Sequence, residues 1–248
     1  MIEARNISKT FGENLVLRDV SMSFEKGKTN LIIGQSGSGK TVFMKCCIGL
    51  VEPDEGMIRF DDRPFSALPE KRKKYIRKEM GVLFQGGALF DSLTVEQNVM
   101  FPLNMFTTMS LEEKLDRVNF CLNRVNLENV NTLFPSELSG GMMKRVAIAR
   151  AISNNPSYLF CDEPNSGLDP KTAEIIDRLI SEITEEYDIT TVINTHDMNS
   201  VLQIGMRINF LYKGELWWTG DKNTILITEN AELNDFVFST ELTRRLRH

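Results

Sequence analysis

Short apolar runs separated by amphipathic stretches dominate the pattern along this chain. Residues 30–33, 81–84, 158–161 and 190–194 are such runs. Continuous apolar runs of this length are typical of strands buried on both faces of a parallel sheet. Between the last two runs, apolar residues recur at helical spacing and predict an amphipathic helix; they are Ile175, Ile176, Leu179, Ile180 and Ile183. The pattern therefore predicts an α/β fold with a mainly parallel core sheet.

Two regions depart from this alternation. The first thirty residues predict short strands and turns, with a hairpin turn at 11–14. Residues 87–153 are mainly helical in pattern, which predicts a helical subdomain inserted into the core. We therefore expect a single domain over 1–248, comprising a catalytic core (1–86 and 154–220), a helical subdomain (87–153) and a C-terminal tail (221–248).

A candidate phosphate-binding loop follows the first buried strand. It fits G-x-x-x-x-G-K-[ST] without a mismatch and opens a helical pattern; its residues are Gly34, Gln35, Ser36, Gly37, Ser38, Gly39, Lys40 and Thr41. Glycines allow backbone N–H groups to face a phosphate, and the N-terminus of the following helix adds a favourable dipole. Lys40 would supply a positive charge to the outer phosphates, and the Thr41 hydroxyl would bind Mg²⁺. The loop predicts a nucleotide site.

Composition narrows the class of protein. The 248 residues carry a net charge of −5, which argues against a nucleic-acid partner. Two histidines and four scattered cysteines offer no zinc-ligand spacing, and the cysteines are expected to be reduced thiols of a cytosolic protein. No signal-peptide pattern and no apolar stretch long enough to span a bilayer are present, so another chain would have to bring this one to a membrane.

Two further segments carry candidate chemistry. The apolar run at 158–161 ends in Asp162 and Glu163, which places two acids at the carboxyl edge of a parallel sheet. Asp162 would hold Mg²⁺, and Glu163 would polarise the water that attacks a γ-phosphate. The segment Ser139-Gly140-Gly141 opens another helical pattern, where the serine on its own is a good helix N-cap. Taken alone, each segment has an ordinary structural explanation.

In this order, the three motifs resemble those of the nucleotide-binding subunit of an ABC transporter, over residues 2 to 220. The resemblance implies a P-loop NTPase fold of the ABC ATPase type, with an N-terminal antiparallel β subdomain. It also implies that two copies close head to tail on two ATP molecules with Mg²⁺. Ser139, Gly140 and Gly141 of one copy would then contact the γ-phosphate bound by Lys40 of the other.

The resemblance also implies roles for single residues. Phe11 matches the aromatic residue that stacks on adenine, and Gln85 matches the glutamine that links Mg²⁺ to the helical subdomain. His196 matches the histidine that contacts the γ-phosphate. Asp169 matches a residue of the loop in which the two copies touch, although it is also a fair N-cap before Pro170.

The sequence departs from the common family pattern at three places. It reads Leu-Ser-Gly-Gly-Met around Ser139, it has Asn165 after Pro164, and Cys161 precedes the Mg²⁺ aspartate. None of these changes removes a group assigned to phosphate, metal or water. We therefore expect an active ATPase.

One segment indicates the kind of transporter. Residues 82–95, continued by 96–99 and 101–103, are similar to the ATPases of MCE/Mla-type phospholipid transport systems. The similarity implies a homodimer on the cytoplasmic face of the inner (cell) membrane. Its expected partners are integral-membrane permease subunits, an MCE-domain lipid-binding protein and a small accessory subunit.

Alternatives remain within and beyond this class. The 82–95 segment could reflect ordinary drift, so an ABC ATPase for lipoprotein release, amino-acid uptake or division-site signalling stays open. The stretch between the phosphate loop and Ser139 is too short for the coiled coil of the family's DNA-repair proteins. The chain also has one cassette, where the translation factors have two. The tail could pack on its own domain, on the neighbouring copy or on an accessory subunit; its apolar residues are Leu233, Phe236, Val237 and Phe238.

Overall fold

A computed structural model describes residues 1–239. It contains two sheets, whose strands are β1 Ile2–Phe11, β2 Asn14–Phe24, β3 Thr29–Ile33, β4 Glu55–Phe60, β5 Met80–Leu83, β6 Tyr158–Asp162, β7 Thr190–Thr195, β8 Arg207–Tyr212 and β9 Glu215–Gly220. The α-helices are α1 Lys40–Ile48, α2 Glu70–Arg77, α3 Val95–Phe106, α4 Leu111–Arg124, α5 Gly140–Ile152, α6 Pro170–Glu186, α7 Met198–Ile204 and α8 Ala231–Val237.

The larger sheet has six strands in the order β5-β6-β7-β3-β8-β9. Every neighbouring pair from β5 to β8 is parallel, and β9 joins the edge as an antiparallel strand. A second, three-stranded antiparallel sheet has the order β2-β1-β4. The predicted α/β class, the parallel core and the N-terminal antiparallel unit are confirmed.

Both faces of the larger sheet are covered, which explains why its inner strands are apolar without alternation. In β3, Leu31 and Ile33 contribute to the hydrophobic cluster shared with α3 to α6, while Ile32 contributes to the cluster under the smaller sheet. In β6, Leu159 and Phe160 divide in the same way. Because side chains alternate between faces, a strand with two covered faces needs apolar residues at successive positions.

The N-terminal strands are longer than the sequence predicts. β1 has 10 residues and β2 has 11, joined by the expected tight turn after Phe11. Their pairing shifts register three times, and Asn6 and Asp19 adopt positive φ. Bulges of this kind interrupt the alternation of apolar and polar residues, so one long strand is read as several short ones.

The predicted helical region contains α3, α4 and α5. Capping boxes begin α3 at Thr94 and α4 at Ser110, where each side chain accepts the N3 backbone N–H and the N3 side chain accepts in return. α5 packs on both α3 and α4, and it also contacts β5 and α6 of the core. The proposed boundaries at residues 86, 153 and 220 stay predictions.

The described part of the tail packs on its own domain. Leu233, Phe236, Val237 and Phe238 are all buried, and the ring of Phe236 lies 5.6 Å from that of Phe210 in β8. The basic end, 244–247, lies outside the described residues. Within residues 1–239, no helix has the length and apolar character needed to cross a bilayer.

Asp177 of α6 is a buried acid, and it makes stability depend on pH. Burial raises the pKa of its carboxyl from 3.8 to about 6; hydrogen bonds from Ser200 and Asn165 oppose the rise, and the charge of Asp197 adds to it. Because the folded state holds this proton more tightly than the unfolded state, the stabilisation is complete below the unfolded pKa. It is lost as pH rises through the folded pKa.

We expect wild-type protein to lose up to about 3 kcal/mol of unfolding free energy, relative to Asp177→Asn, as pH rises from about 4 to about 6. An amide at this position does not titrate, which removes that part of the pH dependence. Denaturant unfolding at several pH values measures the difference. Asp116→Asn, at an exposed acid of α4, is the control. Parallel pH profiles for wild type and Asp177→Asn would contradict a proton bound at Asp177.

Candidate active site

The phosphate loop joins the carboxyl end of β3 to the first residue of α1. Gly34 and Gly39 have φ of +151° and +104°. A Cβ at position 34 would lie 2.2 Å from the carbonyl oxygen of Leu211, so only glycine fits against the neighbouring strand β8. The loop is therefore held close to the sheet, with its next N–H groups at the start of α1.

Lys40 lies at the floor of this loop and is 7 % exposed. Its Nζ donates to the carbonyl oxygens of Gly34 at 2.8 Å and Gln35 at 3.0 Å. Burial lowers the pKa of the Lys40 ammonium, and the negative charges of Glu163 and Asp162 oppose that effect. A buried ammonium held only by neutral carbonyl groups is suited to an anionic ligand such as a phosphate.

Asp162 and Thr41 meet at the carboxyl end of β6. The Thr41 hydroxyl donates to Asp162 Oδ1 at 3.2 Å. A hydroxyl and a carboxylate are hard oxygen donors, which fit Mg²⁺. Among residues 1–239 no cluster of three potential metal-ligating side chains exists. This suits a Mg²⁺ ion that takes its other ligands from phosphate and water.

Asn194 is a site residue that the sequence reasoning missed. Its Nδ2 donates to Asp162 Oδ1 at 2.9 Å, and its backbone carbonyl accepts the N–H of Glu163 at 3.0 Å. The parallel register pairs Asp162 directly with Asn194. A polar residue ending an otherwise apolar strand was the signal, but its use depends on which strand lies beside β6.

Glu163 and His196 face each other across the ends of β6 and β7. Nδ1 of the His196 ring lies 2.8 Å from Glu163 Oε1. Glu163 adopts φ of +49°, and its Oε2 is buried with no hydrogen-bond partner within the described part of the chain. The carboxylate thus keeps one acceptor oxygen for a molecule that enters the cleft. The His196 ring is mostly exposed.

Gln85 begins the loop that leaves β5, and a second missed residue, Arg150 of α5, fixes that loop. Gly86, Gly87 and Ala88 all have positive φ. The Arg150 guanidinium donates to the carbonyl oxygens of Gly87 at 2.7 Å and Ala88 at 2.8 Å. An arginine within the mostly apolar stretch 146–152 was the only signal in the sequence. The fork geometry allows one side chain to hold two successive carbonyl groups.

An open cleft of about 810 Å³ brings most predicted residues together. The predicted residues that line it are Gln35, Ser36, Gly37, Gly39, Lys40, Thr41, Gln85, Glu163 and His196. Gly34 and Ser38 belong to the same loop, and Asp162 reaches the cleft through Thr41. Asp235, Phe236 and Ser239 also line the cleft, so the tail reaches the site, which the sequence did not predict.

Five predicted residues lie elsewhere. Phe11 is about half exposed at the end of β1, outside the cleft lining. Ser139 caps α5 by accepting the N–H of Met142 at 3.3 Å, and Asp169 caps α6 by accepting the N–H of Thr172 at 3.1 Å. Gly140 and Gly141 lie against α6 and the loop before it: a Cβ at 141 would be 2.7 Å from Thr172 Cγ2.

The starts of α5 and α6 therefore form a second surface, separate from the cleft lined by Lys40. The N-caps proposed from sequence for Ser139 and Asp169 are present in the structure. Any contact of Ser139 with a phosphate must involve a nucleotide other than the one bound in the chain's own cleft.

Comparison with known proteins places the chain in a family. The sequence profile of the family described as ABC transporter matches residues 17–166. The methionine import ATP-binding protein MetN of Campylobacter jejuni is 36% identical, over 96% of this chain and 75% of the relative. The probable ribonucleotide transport ATP-binding protein mkl of Mycobacterium leprae is 35% identical, over 95% of this chain and 68% of the relative.

Solved structures agree. The dimeric structure of MJ0796, a bacterial ABC transporter cassette, matches with a TM-score of 0.83 and 36% identity, over 90% of this chain and 99% of that one. The same cassette in a post-hydrolysis state bound to ADP and Pi gives a TM-score of 0.82 at 35% identity, with the same coverage. The chain therefore belongs to the ABC transporter family, as an ATPase that uses ATP with Mg²⁺.

Proposed function

We propose that this chain is the ATPase subunit of an MCE/Mla-type phospholipid transporter and that two copies close head to tail on two ATP molecules. In this proposal it lies on the cytoplasmic face of the inner membrane, held there by integral-membrane permease subunits. An MCE-domain lipid-binding protein and a small accessory subunit complete the assembly. The observation that carries the substrate class is the ordered loop between β5 and α3.

The geometry of the cleft supports the division of labour among its residues. Lys40 and the N–H groups of the phosphate loop hold the phosphates, while Thr41, Asp162 and Gln85 serve Mg²⁺. Oε2 of Glu163 accepts a proton from the attacking water, whose oxygen bonds to the γ-phosphorus as the bond to the bridging oxygen of ADP breaks. Because Nδ1 of His196 is bonded to Glu163, Nε2 is the ring nitrogen left to contact the γ-phosphate.

The second surface supports the head-to-tail arrangement. Ser139, Gly140 and Gly141 present the N-terminus of α5, a favourable place for an anion, at a distance from their own cleft. Pairing two copies head to tail would bring this helix start to the phosphates bound by the partner. Asp169 lies at the neighbouring helix start, where two copies would touch. The similar cassette MJ0796 is dimeric in its solved structure.

Asn98 organises the loop that resembles phospholipid systems. Its side chain is fully buried: Nδ2 donates to the carbonyl oxygens of Phe90, Leu93 and Thr94 at 3.0–3.1 Å, and Oδ1 accepts the Phe90 N–H at 2.8 Å. Residues 90–94 are thus a built structure. The ring of Phe90 packs 4.7 Å from that of Phe101, and both rings are partly exposed. An exposed aromatic pair on a fixed loop is suited to contact with another protein.

Amino-acid uptake is the second candidate, because MetN, a methionine import protein, is 36% identical. The mkl protein, named for ribonucleotide transport, is 35% identical, so overall identity does not separate substrates. ATPases for lipoprotein release and for division-site signalling carry no similar support. The loop at 82–95 is the feature that favours phospholipid.

The first prediction concerns Glu163. We expect Glu163→Gln to bind ATP and to lose at least about 100-fold in kcat, because an amide cannot accept the proton of the attacking water. Phosphate release measures turnover, and equilibrium dialysis with labelled ATP measures binding. Light scattering should show that ATP converts this variant to a dimer.

Glu174→Gln, at an exposed acid of α6, is the matched control and should hydrolyse ATP normally. Hydrolysis by Glu163→Gln at a rate near that of wild type would refute the role of Glu163. A variant that binds ATP but remains monomeric would refute closure on ATP.

The second prediction concerns the membrane partner. Tagged chain purified from detergent-solubilised membranes should carry a multispanning permease, an MCE-domain protein and bound phospholipid, all identified by mass spectrometry. Phe90→Ser/Phe101→Ser should lose at least about 90% of the permease, because these rings are among the apolar anchors of the interface. ATP binding should persist.

Tyr75→Ser is the control, since Tyr75 is an exposed aromatic residue on α2. A permease recovered with a methionine-binding protein and no phospholipid would leave the ATPase intact and overturn the lipid substrate. Full recovery of the permease by the double variant would show that the aromatic pair is not the contact.

A further inference from the structure

Four polar side chains form a buried cluster beside the cleft, which we name the Asn165 hub: Asn165, Asp177, Asp197 and Ser200. Nδ2 of Asn165 lies 2.7 Å from Ser200 Oγ, 3.2 Å from Asp177 Oδ2 and 3.4 Å from Asp197 Oδ2. Asn165, Asp177 and Ser200 are each at most 6 % exposed. Asn165 borders a groove next to the cleft and does not line the cleft itself.

The hub has more acceptors than donors. A primary amide offers two N–H groups, and three oxygens surround that of Asn165. Oδ1 of Asp177 is buried with no hydrogen-bond partner in the described chain. A buried carboxylate that lacks partners is costly, so the donors that Asn165 supplies matter more here than at a surface.

The hub closes a ring that contains both groups proposed for hydrolysis. Asn165 follows Glu163 by two residues, and its amide reaches Asp197, the residue after His196. Asp197 is fixed in turn, because its Oδ1 accepts the Asn199 N–H at 2.9 Å and its own N–H donates to Thr195 Oγ1 at 3.0 Å. Across the ring, His196 Nδ1 lies 2.8 Å from Glu163 Oε1.

Each link of this ring is a covalent segment or a hydrogen bond, so a change in one link moves the others. The Asn165–Asp197 contact is the only side-chain link on the side of the ring away from the cleft among the hydrogen bonds found in residues 1–239. Its loss would free the start of α7, and with it the backbone of His196, from the loop that carries Glu163.

We propose that Asn165 is a positioning residue that holds the His196 ring against Glu163 by tying the loop after β6 to the start of α7. This inference rests on the roles proposed above for Glu163 and His196. Common family members carry threonine at this position, and its hydroxyl supplies one donor. The donor, and not the size of the side chain, is therefore the property required.

Asn165→Val and Asn165→Thr test this with two side chains of equal size that differ in one hydroxyl. We expect Asn165→Val to lower kcat by about 10- to 100-fold and to leave the KM for ATP within about twofold, because misplacement of the reacting groups acts on turnover rather than on nucleotide binding. Asn165→Thr should keep kcat within about threefold of wild type.

NMR gives a readout that a general loss of stability would not produce. The chain has two histidines, His196 and His248, so the ring signals of ¹³C-labelled histidine can be assigned with a single His196 variant. The His196 ring signals should move in Asn165→Val and stay near their wild-type positions in Asn165→Thr. Equal kcat for the two variants, or a rise in KM without a fall in kcat, would overturn the proposal.

Ser200→Ala covers the case in which Asn165→Val fails to fold. It removes the acceptor nearest to the amide and leaves Asn165 in place, so folded protein should show a lower kcat and an unchanged KM. An unchanged kcat in folded Ser200→Ala would also overturn the proposal. If His196→Ala hydrolyses ATP normally, the role of His196 is wrong, and the NMR signals still report whether Asn165 positions the ring.

Discussion

The active-site residues meet because β6, β7 and β3 are neighbouring parallel strands whose carboxyl ends share one edge of the sheet. The register pairs Asp162 with Asn194, and Ile33, just before the phosphate loop, with Thr195, just before His196. Three distant segments thus arrive at one place without any direct contact being required of their loops. Residues at the ends of these strands can then act together on a single ligand.

That edge concentrates charges that the protein alone does not neutralise. Lys40 and Lys144 are both buried, burial lowers the pKa of each ammonium, and their hydrogen bonds go to backbone carbonyl groups. Glu163 keeps a buried oxygen without a partner within the described chain. Unsatisfied buried groups destabilise the folded state, and each of them is matched by a group of ATP, Mg²⁺ or water. The site is therefore stabilised by the ligands it uses.

The sequence predicted those parts of the site that depend on local chemistry. The glycines of the phosphate loop, the acids after β6 and the cap at Ser139 each follow from residue type and spacing. Asn194, Arg150 and Asn165 were missed because their partners lie across the sheet or on another helix. A register between strands that are far apart in sequence is set by packing, which no short segment encodes. The long strands β1 and β2 were missed for a different reason, since bulges break their alternation.

α5 connects the two halves of the proposed mechanism. Its start carries Ser139 and Gly140, which would meet the partner's phosphates, and Arg150 near its end holds the loop that follows Gln85. Thirteen residues of helix are about 20 Å long and stiff. A displacement of the helix start on closure of the dimer would therefore be transmitted to the Gln85 loop. The adjacent loop at 90–94, held by Asn98, is the segment proposed to contact the permease. In this arrangement one rigid helix links the γ-phosphate of one nucleotide to the membrane partner.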